Sequence, residues 1–190
     1  MKLAHFFFAP VLALLPVGLQ AAPVAYVLDQ AQSQVGFEVM FGQDPITGTM
    51  PIAEAQVAID FEQASNSSVS AVIDAARSQA SFPFATQAML GPKVLATDQF
   101  PTMTFRSRAM HFSGTTAEVE GDLTLRGVTR PVQLHAELYR QKGTEEGDRT
   151  KMSVLLTGAV KRSDFGATGW DDMVGDQIKL KILVRINQAG

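Results

Sequence analysis

Ile-Lys-Leu-Lys-Ile-Leu-Val-Arg-Ile, residues 178–186, is the most regular segment of the sequence. Its apolar residues recur at every second position, and Lys179, Lys181 and Arg185 occupy positions between them. Successive side chains of a β-strand point to opposite faces of a sheet. The pattern therefore predicts a strand with one buried face and one solvated face.

Seven further segments alternate in the same way, which brings the number of predicted strands to eight. These segments are residues 35–41, 55–61, 69–73, 103–108, 119–125, 132–138 and 152–158. Turn-forming residues such as Arg126-Gly127 separate them, and only residues 84–96 show helical spacing, which Pro92 interrupts. Single-faced strands with short connections predict an all-β fold, an antiparallel barrel or sandwich with one short connecting helix.

The first 21 residues have the organisation of a cleavable signal peptide. Lys2 precedes an apolar stretch, and the small residues Ala21 and Ala22 follow it at the position where a signal peptidase cuts. Pro10 and Pro16 interrupt the stretch, which is shorter than the roughly 20 apolar residues of a membrane-spanning helix. We therefore expect a signal peptide over residues 1–21 and one domain over residues 22–190. A chain without cysteine also suits export to a bacterial periplasm as a soluble protein.

Composition and motifs argue against several classes of function. The net charge is −3 and there is no basic run, so a nucleic-acid partner is not expected. Beyond the signal peptide the histidines are His111 and His135, neither at ligand spacing from a second histidine or a carboxylate, so no metal or cofactor is expected. Asp171 and Asp172 are neighbours whose side chains point apart on an extended chain. Since no nucleophile elbow or phosphate loop occurs either, the sequence does not predict an enzyme.

The inner face of a barrel is the candidate site, because a barrel of about eight strands can hold one slender ligand. If the more apolar face of each strand points inward, the interior is an apolar tube. The candidate ligand contacts are then Phe37, Val39, Phe41, Val57, Ile59, Phe105, Leu123, Leu134, Val154, Leu180 and Ile182. The same side chains would also fill a packed core, and alternation alone favours that alternative.

A polar corner is predicted at residues 161–166, Lys-Arg-Ser-Asp-Phe-Gly. Arg162 is placed to pair with Asp164 or to cap backbone carbonyls, with Phe165 beneath it and Gly166 at a positive φ angle. Arg162 is also a candidate to bind an anionic head group, although a structural corner is the favoured interpretation.

Several segments carry a resemblance to a known family. They are Tyr26-Val27-Leu28-Asp29, Ser33-Gln34-Val35-Gly36-Phe37, Phe100-Pro101-Thr102-Met103-Thr104-Phe105-Arg106-Ser107, residues 121–132 and residues 161–166. In this order and spacing, over almost the whole domain, the chain resembles the YceI-like family, periplasmic proteins that bind polyisoprenoid lipids. The resemblance implies a lipocalin-like barrel whose interior holds a long isoprenoid or similar amphiphile. It therefore favours the ligand tube over the packed core.

The chain departs from the family pattern at three places. Phe41 stands where many members have a histidine, and Gly48-Thr49-Met50 stands where Gly-x-Phe is frequent. In the connecting helix, the apolar residues 87–92 replace charged and histidine positions. These replacements predict an oilier mouth of the barrel and leave the head group of the lipid open.

Three classes of function remain. The first is a carrier or sequestering protein for an isoprenoid, an isoprenoid quinone or another long-chain lipid, with transient contact to a membrane. The second is a structural or stress-response interaction domain with a filled core. The third is a cofactor-free enzyme acting on a lipid. The sequence leaves the oligomeric state open, with a homodimer as one outcome.

Overall fold

The computed structural model describes residues 22–145 and 147–190. The predicted signal peptide over residues 1–21 lies outside the described residues. No helix in the part of the chain that is described is long and apolar enough to cross a membrane.

Ten strands and one α-helix follow one another along the described residues. They are β1 (Val24–Leu28), β2 (Gln34–Phe41), β3 (Asp44–Ile59), β4 (Ser68–Asp74), β5 (Gln79–Ala80), α1 (Pro83–Leu90), β6 (Thr102–Ser113), β7 (Thr116–Leu125), β8 (Val128–Arg140), β9 (Lys151–Lys161) and β10 (Val174–Gln188). Short 3₁₀ turns occupy Gln30–Gln32, Ala64–Asn66 and Arg162–Phe165.

Eight of these strands form a closed antiparallel barrel. Their order is β2-β3-β4-β6-β7-β8-β9-β10, and β10 pairs with β2 to complete the circle. The strand β1 occupies the same place in the barrel as β2, because both pair with β10 and β3 at different heights. Each predicted alternating segment corresponds to one barrel strand. The predicted all-β antiparallel barrel with one short helix is confirmed.

Three details of the predicted elements differ from the structure. The strand β3 begins at Asp44, well before the predicted start at Ala55. The strand β1 was not predicted, because its residues Val-Ala-Tyr-Val-Leu show no alternation of apolar and polar side chains. The predicted helix over residues 84–96 is wrong in extent, since α1 ends at Leu90. Gly91 follows with an extended backbone, and hydrogen-bonded turns continue the chain as far as Phe100.

Irregularities in β3 and β6 change which alternate residues point inward. The pairing register of β3 shifts between Ile52 and Glu54, and that of β6 shifts between Ser107 and Ala109. Each shift places one extra residue in the strand, so the inward-facing positions after it are displaced by one residue. The inward residues therefore have even numbers in the first half of β3 and odd numbers in the second half, and the reverse holds in β6.

The barrel has two different ends. The first, here called the rim end, carries the β2–β3 hairpin, the segment 75–101 with α1, the turn Arg126-Gly127 and the loop 162–173. The second, here called the floor end, carries the turns 60–67 and 114–115 and the loop between β8 and β9. Arg126 and Gly127 both have positive φ angles, 52° and 73°, as expected for the two-residue turn that the sequence predicts there.

Candidate functional site

An apolar cavity of about 660 Å³ extends along the inside of the barrel, and all eight barrel strands contribute to its wall. Its volume lies within the range of about 300–1,000 Å³ that is typical of small-molecule sites. Among the described residues that line it, Arg162 is the one charged side chain, and the others are apolar, aromatic or glycine. The cavity is therefore chemically suited to an apolar chain.

The structure brings every residue that the sequence proposed as a ligand contact to the wall of this one cavity. They are Phe37, Val39, Phe41, Val57, Ile59, Phe105, Leu123, Leu134, Val154, Leu180, Ile182 and Arg162. The assumption that the more apolar face of each strand points inward holds for all of these strands. That these side chains contact a ligand stays a prediction.

Three glycines on the inner wall leave room for large side chains to lie flat against it. Phe37 faces Gly48 across β2 and β3, and its ring covers the position of a Gly48 side chain. The Phe105 ring would be 2.5 Å from a Cβ at Gly121, and Leu134 would be 2.7 Å from a Cβ at Gly158. Because these side chains occupy the space above glycine, the centre of the barrel remains open. The pairing of an inward glycine with a large neighbour is the signal that separates this tube from a packed core.

Five exposed side chains surround the cavity at the rim end, and they form what we call the apolar rim. The rim consists of Phe41, Phe82, Phe84, Trp170 and Met173, and Phe84 is the most exposed at 70%. The sequence identified only Phe41 as a site residue. The others lie in α1 and in connecting segments, where strand alternation gives no signal. A usable signal was the presence of large apolar residues in polar, turn-rich stretches.

Hydrogen bonds fasten the backbone of the rim segments to one another. Arg126 Nη1 donates to the carbonyl oxygens of Pro92 and Val94 at 2.9 and 2.6 Å. The backbone N–H of Gly169 donates to the Lys93 carbonyl at 2.9 Å. These bonds join the segment after α1 to the β7–β8 turn and to the loop 162–173. The rim thus presents apolar side chains on a backbone that is held in place.

Arg162 forms the centre of the predicted polar corner and is only 5% exposed. Its Nη1 donates to the carbonyl oxygens of Ala167 and Gly169, both at 2.7 Å. Its Nε and Nη2 donate to Gly175 at 3.0 Å and to Val174 at 2.8 Å. Capping of carbonyls is thus the geometry that the structure shows. Because these bonds use most of the guanidinium donors, the geometry favours a structural corner over a head-group site.

The surrounding residues complete this corner as the sequence predicted. Phe165 is buried beneath it at 1% exposure, and Gly166 has a φ angle of 71°. Asp176 accepts hydrogen bonds from the Ser163 backbone N–H at 2.9 Å and from Ser163 Oγ at 2.8 Å. The Ser163 backbone N–H, aided by its hydroxyl and by the nearby positive charges of Arg162 and Lys161, lowers the pKa of the Asp176 carboxyl below its ordinary value.

His135, which was considered from the sequence as a metal ligand, lies on the outer wall of the barrel. His135 Nδ1 lies 2.6 Å from Glu118 Oε1, and both side chains are partly exposed to solvent. Within residues 22–145 and 147–190, no group of three or more His, Cys, Asp or Glu side chains is arranged to hold a metal ion.

Comparison with known proteins identifies the family. The model of the YceI-like domain matches residues 26–186, which is most of the chain. The chain belongs to the YceI-like family. Protein YceI of Shigella flexneri and Protein YceI of Escherichia coli O157:H7 are each 37% identical to it over 71 residues. These matches cover 37% of this chain and 37% of the length of each relative.

Solved structures share the fold at low sequence identity. Burkholderia cenocepacia BcnA superposes with a TM-score of 0.74 at 22% identity, covering 83% of this chain and 98% of that one. A Campylobacter jejuni YCEI protein gives a TM-score of 0.61 at 23% identity, covering 74% of this chain and 85% of that one. At these identities the similarity shows a common fold.

Proposed function

We propose that this protein binds the tail of a long-chain isoprenoid, isoprenoid quinone or similar amphiphile inside its barrel and carries or sequesters it in the periplasm. The observation that carries the proposal is the cavity of about 660 Å³, whose lining is apolar apart from Arg162. An apolar tail gains on the order of 0.8 kcal/mol for each CH₂-sized group that it buries. A few isoprene units are therefore enough to offset the cost of ordering the ligand.

The polar head of the ligand stays at the rim in this proposal. The Arg162 guanidinium already donates to the carbonyls of Ala167, Gly169, Val174 and Gly175, so the wall offers little to a buried head group. A polar group without hydrogen-bond partners is costly to bury. Hence the tail enters the barrel while the head remains near Trp170 and Met173 in contact with water.

The proposal includes transient contact between the apolar rim and a membrane, from which such a lipid would be taken. Its support is the exposure of Phe82 and Phe84 beside the cavity opening, since aromatic side chains favour the boundary between water and lipid. We expect Phe84→Ala to reduce flotation of the protein with phosphatidylcholine vesicles. Equal flotation of the variant and the wild type would contradict this part of the proposal.

The binding proposal is tested by titrating the purified protein with geranylgeraniol and with a short-chain ubiquinone. Trp170 is the one tryptophan of the sequence and lies at the rim, so its fluorescence reports ligand entry. We expect Phe41→Asp to weaken binding about tenfold or more, since it replaces an apolar contact by a charge. Met40→Asp is the matched control, because Met40 is the exposed neighbour of Phe41 in β2 and lies outside the cavity lining.

The two alternative functions predict different results in the same titration. A structural or stress-response domain with a filled core would bind neither ligand and would instead retain a protein partner. A cofactor-free enzyme would convert the lipid, whereas the proposed carrier returns it unchanged on extraction. Saturable binding without conversion therefore supports the carrier, and the absence of binding by the wild type overturns it.

A further inference from the structure

Two phenylalanines stand side by side where the cavity reaches the floor end. Phe61 lies two residues after the end of β3, and Phe112 lies near the end of β6. Their ring centroids are 5.6 Å apart with an interplanar angle of 33°, and both rings line the cavity. Such a tilted aromatic pair has a favourable geometry beyond the simple burial of its surface.

Arg149, an exposed residue, lies over the Phe61 ring of this pair. It belongs to the loop between β8 and β9, and its guanidinium carbon lies 4.0 Å from the centroid of the Phe61 ring. This distance is within the range of a cation–π interaction. Arg149 also acts on Tyr26 in β1, where burial raises the pKa of the hydroxyl and the arginine charge opposes that rise. The charge thus sits at the point where the apolar lining ends.

The side chains around the pair are closely packed. Phe61 and Phe112 pack against a cluster that includes Met110, Ala117 and Ile186, each of which is almost completely buried. At the rim, by contrast, the five side chains of the apolar rim line the cavity and are exposed. A ligand tail that enters from the rim therefore advances along an apolar wall until it meets the two rings, their packed surroundings and a charge beyond them.

We propose that Phe61 and Phe112, with Arg149 over the Phe61 ring, form a stop that limits how much of an apolar tail the barrel accepts. This inference rests on the proposed binding of a long-chain amphiphile and adds its length selectivity. Each isoprene unit up to the stop buries further apolar surface, so affinity rises with chain length. Units beyond that length remain outside the rim, and affinity then reaches a plateau.

The test measures the affinity of a series of all-trans polyprenols from farnesol to solanesol, using Trp170 fluorescence as the readout. We expect the wild type to reach a plateau at a defined chain length. Phe112→Ala is expected to move the plateau to chains longer by about one isoprene unit, because the removed ring has about as many carbons as one unit. Phe112→Leu keeps an apolar side chain in the packed floor and is expected to produce a smaller shift in the same direction.

Tyr139→Ala is the matched control, since Tyr139 is an exposed aromatic residue near the same end of the barrel and is not part of the cavity lining. We expect it to keep the plateau of the wild type. An unchanged plateau in a folded Phe112→Ala protein overturns the stop and leaves lipid binding standing. If Phe112→Ala does not fold, the test uses Phe112→Leu, and an unchanged plateau in that variant overturns the stop. An equal shift in Tyr139→Ala also overturns the stop, and a wild type that binds no polyprenol overturns both this inference and the proposed function.

Discussion

The two ends of the barrel differ in the apolar side chains that they expose to solvent. At the floor end, side chains such as Met152 and Ile186 are almost completely buried against one another. At the rim end, the backbone is fastened by hydrogen bonds from Arg126 and Arg162, while Phe84 and its neighbours remain in solvent. Packed side chains stabilise both ends, since Leu95, Met103 and Phe165 are buried at the rim end. The rim end adds exposed apolar side chains on a backbone that hydrogen bonds hold in place.

The difference shows how an exposed apolar surface is kept at a fixed place. Apolar side chains without partners cannot hold a loop in position, because nothing is buried when they meet water. Carbonyls bonded to a buried guanidinium can do so, since leaving them unpaired is costly. The rim therefore keeps its binding surface free, because main-chain hydrogen bonds and the buried side chains beneath it hold its backbone in place.

Removal of the Arg162 side chain should have the largest effect on stability. Arg162→Met leaves four carbonyls without their charged donor, and we expect a loss of about 4 kcal/mol, on the order of 1 kcal/mol for each unpaired group. Urea unfolding monitored by circular dichroism measures this loss. Lys179→Met is the control, because the Lys179–Glu38 ion pair is exposed and should contribute less than about 1 kcal/mol. Similar losses in the two variants would contradict the role of Arg162.

Truncation of apolar residues should separate the two ends of the barrel. Ile186→Ala removes a side chain that is 2% exposed at the floor, and we expect it to cost about 3 kcal/mol of unfolding free energy. Phe84→Ala at the rim should change that free energy by less than about 0.5 kcal/mol, because the ring is already in solvent. Both values follow from urea unfolding of the two variants side by side. A rim truncation that costs as much as the floor truncation would show that the rim residues pack as a core.

The smallest effect should come from Asp176 and should depend on pH. Its pKa is lowered in the folded state, so the stabilisation that it supplies is complete above the ordinary aspartate pKa of about 3.9 and is lost as the pH falls through the lower folded value. We expect Asp176→Asn to have a slightly lower Tm than the wild type at neutral pH. The two proteins should converge once the pH has fallen below the lowered folded pKa of Asp176, where the wild-type carboxyl is protonated too. A difference in Tm that persists at low pH would mean that another interaction is responsible.

Alternation in the sequence was sufficient to predict an antiparallel barrel or sandwich, because an apolar interior imposes the same period on every strand. The resemblance to the YceI-like family implied the barrel. The first residue of each strand was harder to predict from the sequence. The early part of β3 contains Asp44, Pro45 and Gly48, which are unusual strand residues, and it is held by pairing with β2. The shifts within β3 and β6 also interrupt the period, so each of these strands was predicted only in part.

The candidate site was also predicted only in part. Some of its residues follow the local alternation, and others depend on contacts between distant segments. Residues on regular strands, such as Leu180 and Ile182, were predicted on the correct face. Rim residues such as Trp170 were missed because they belong to loops whose positions depend on hydrogen bonds between distant segments. Whether the lumen is open depends on partners such as Phe37 and Gly48, and those partners are known only once the strand register is known.

Organic extraction of the purified protein, followed by mass spectrometry of the extract, tests the central claim most directly. The account predicts one amphiphile with a long apolar tail for each chain, recovered chemically unchanged. Protein purified without lipid should acquire one when it is incubated with polyprenols or isoprenoid quinones. A protein that remains empty after both incubations would contradict the account and would indicate that the apolar interior serves the fold alone.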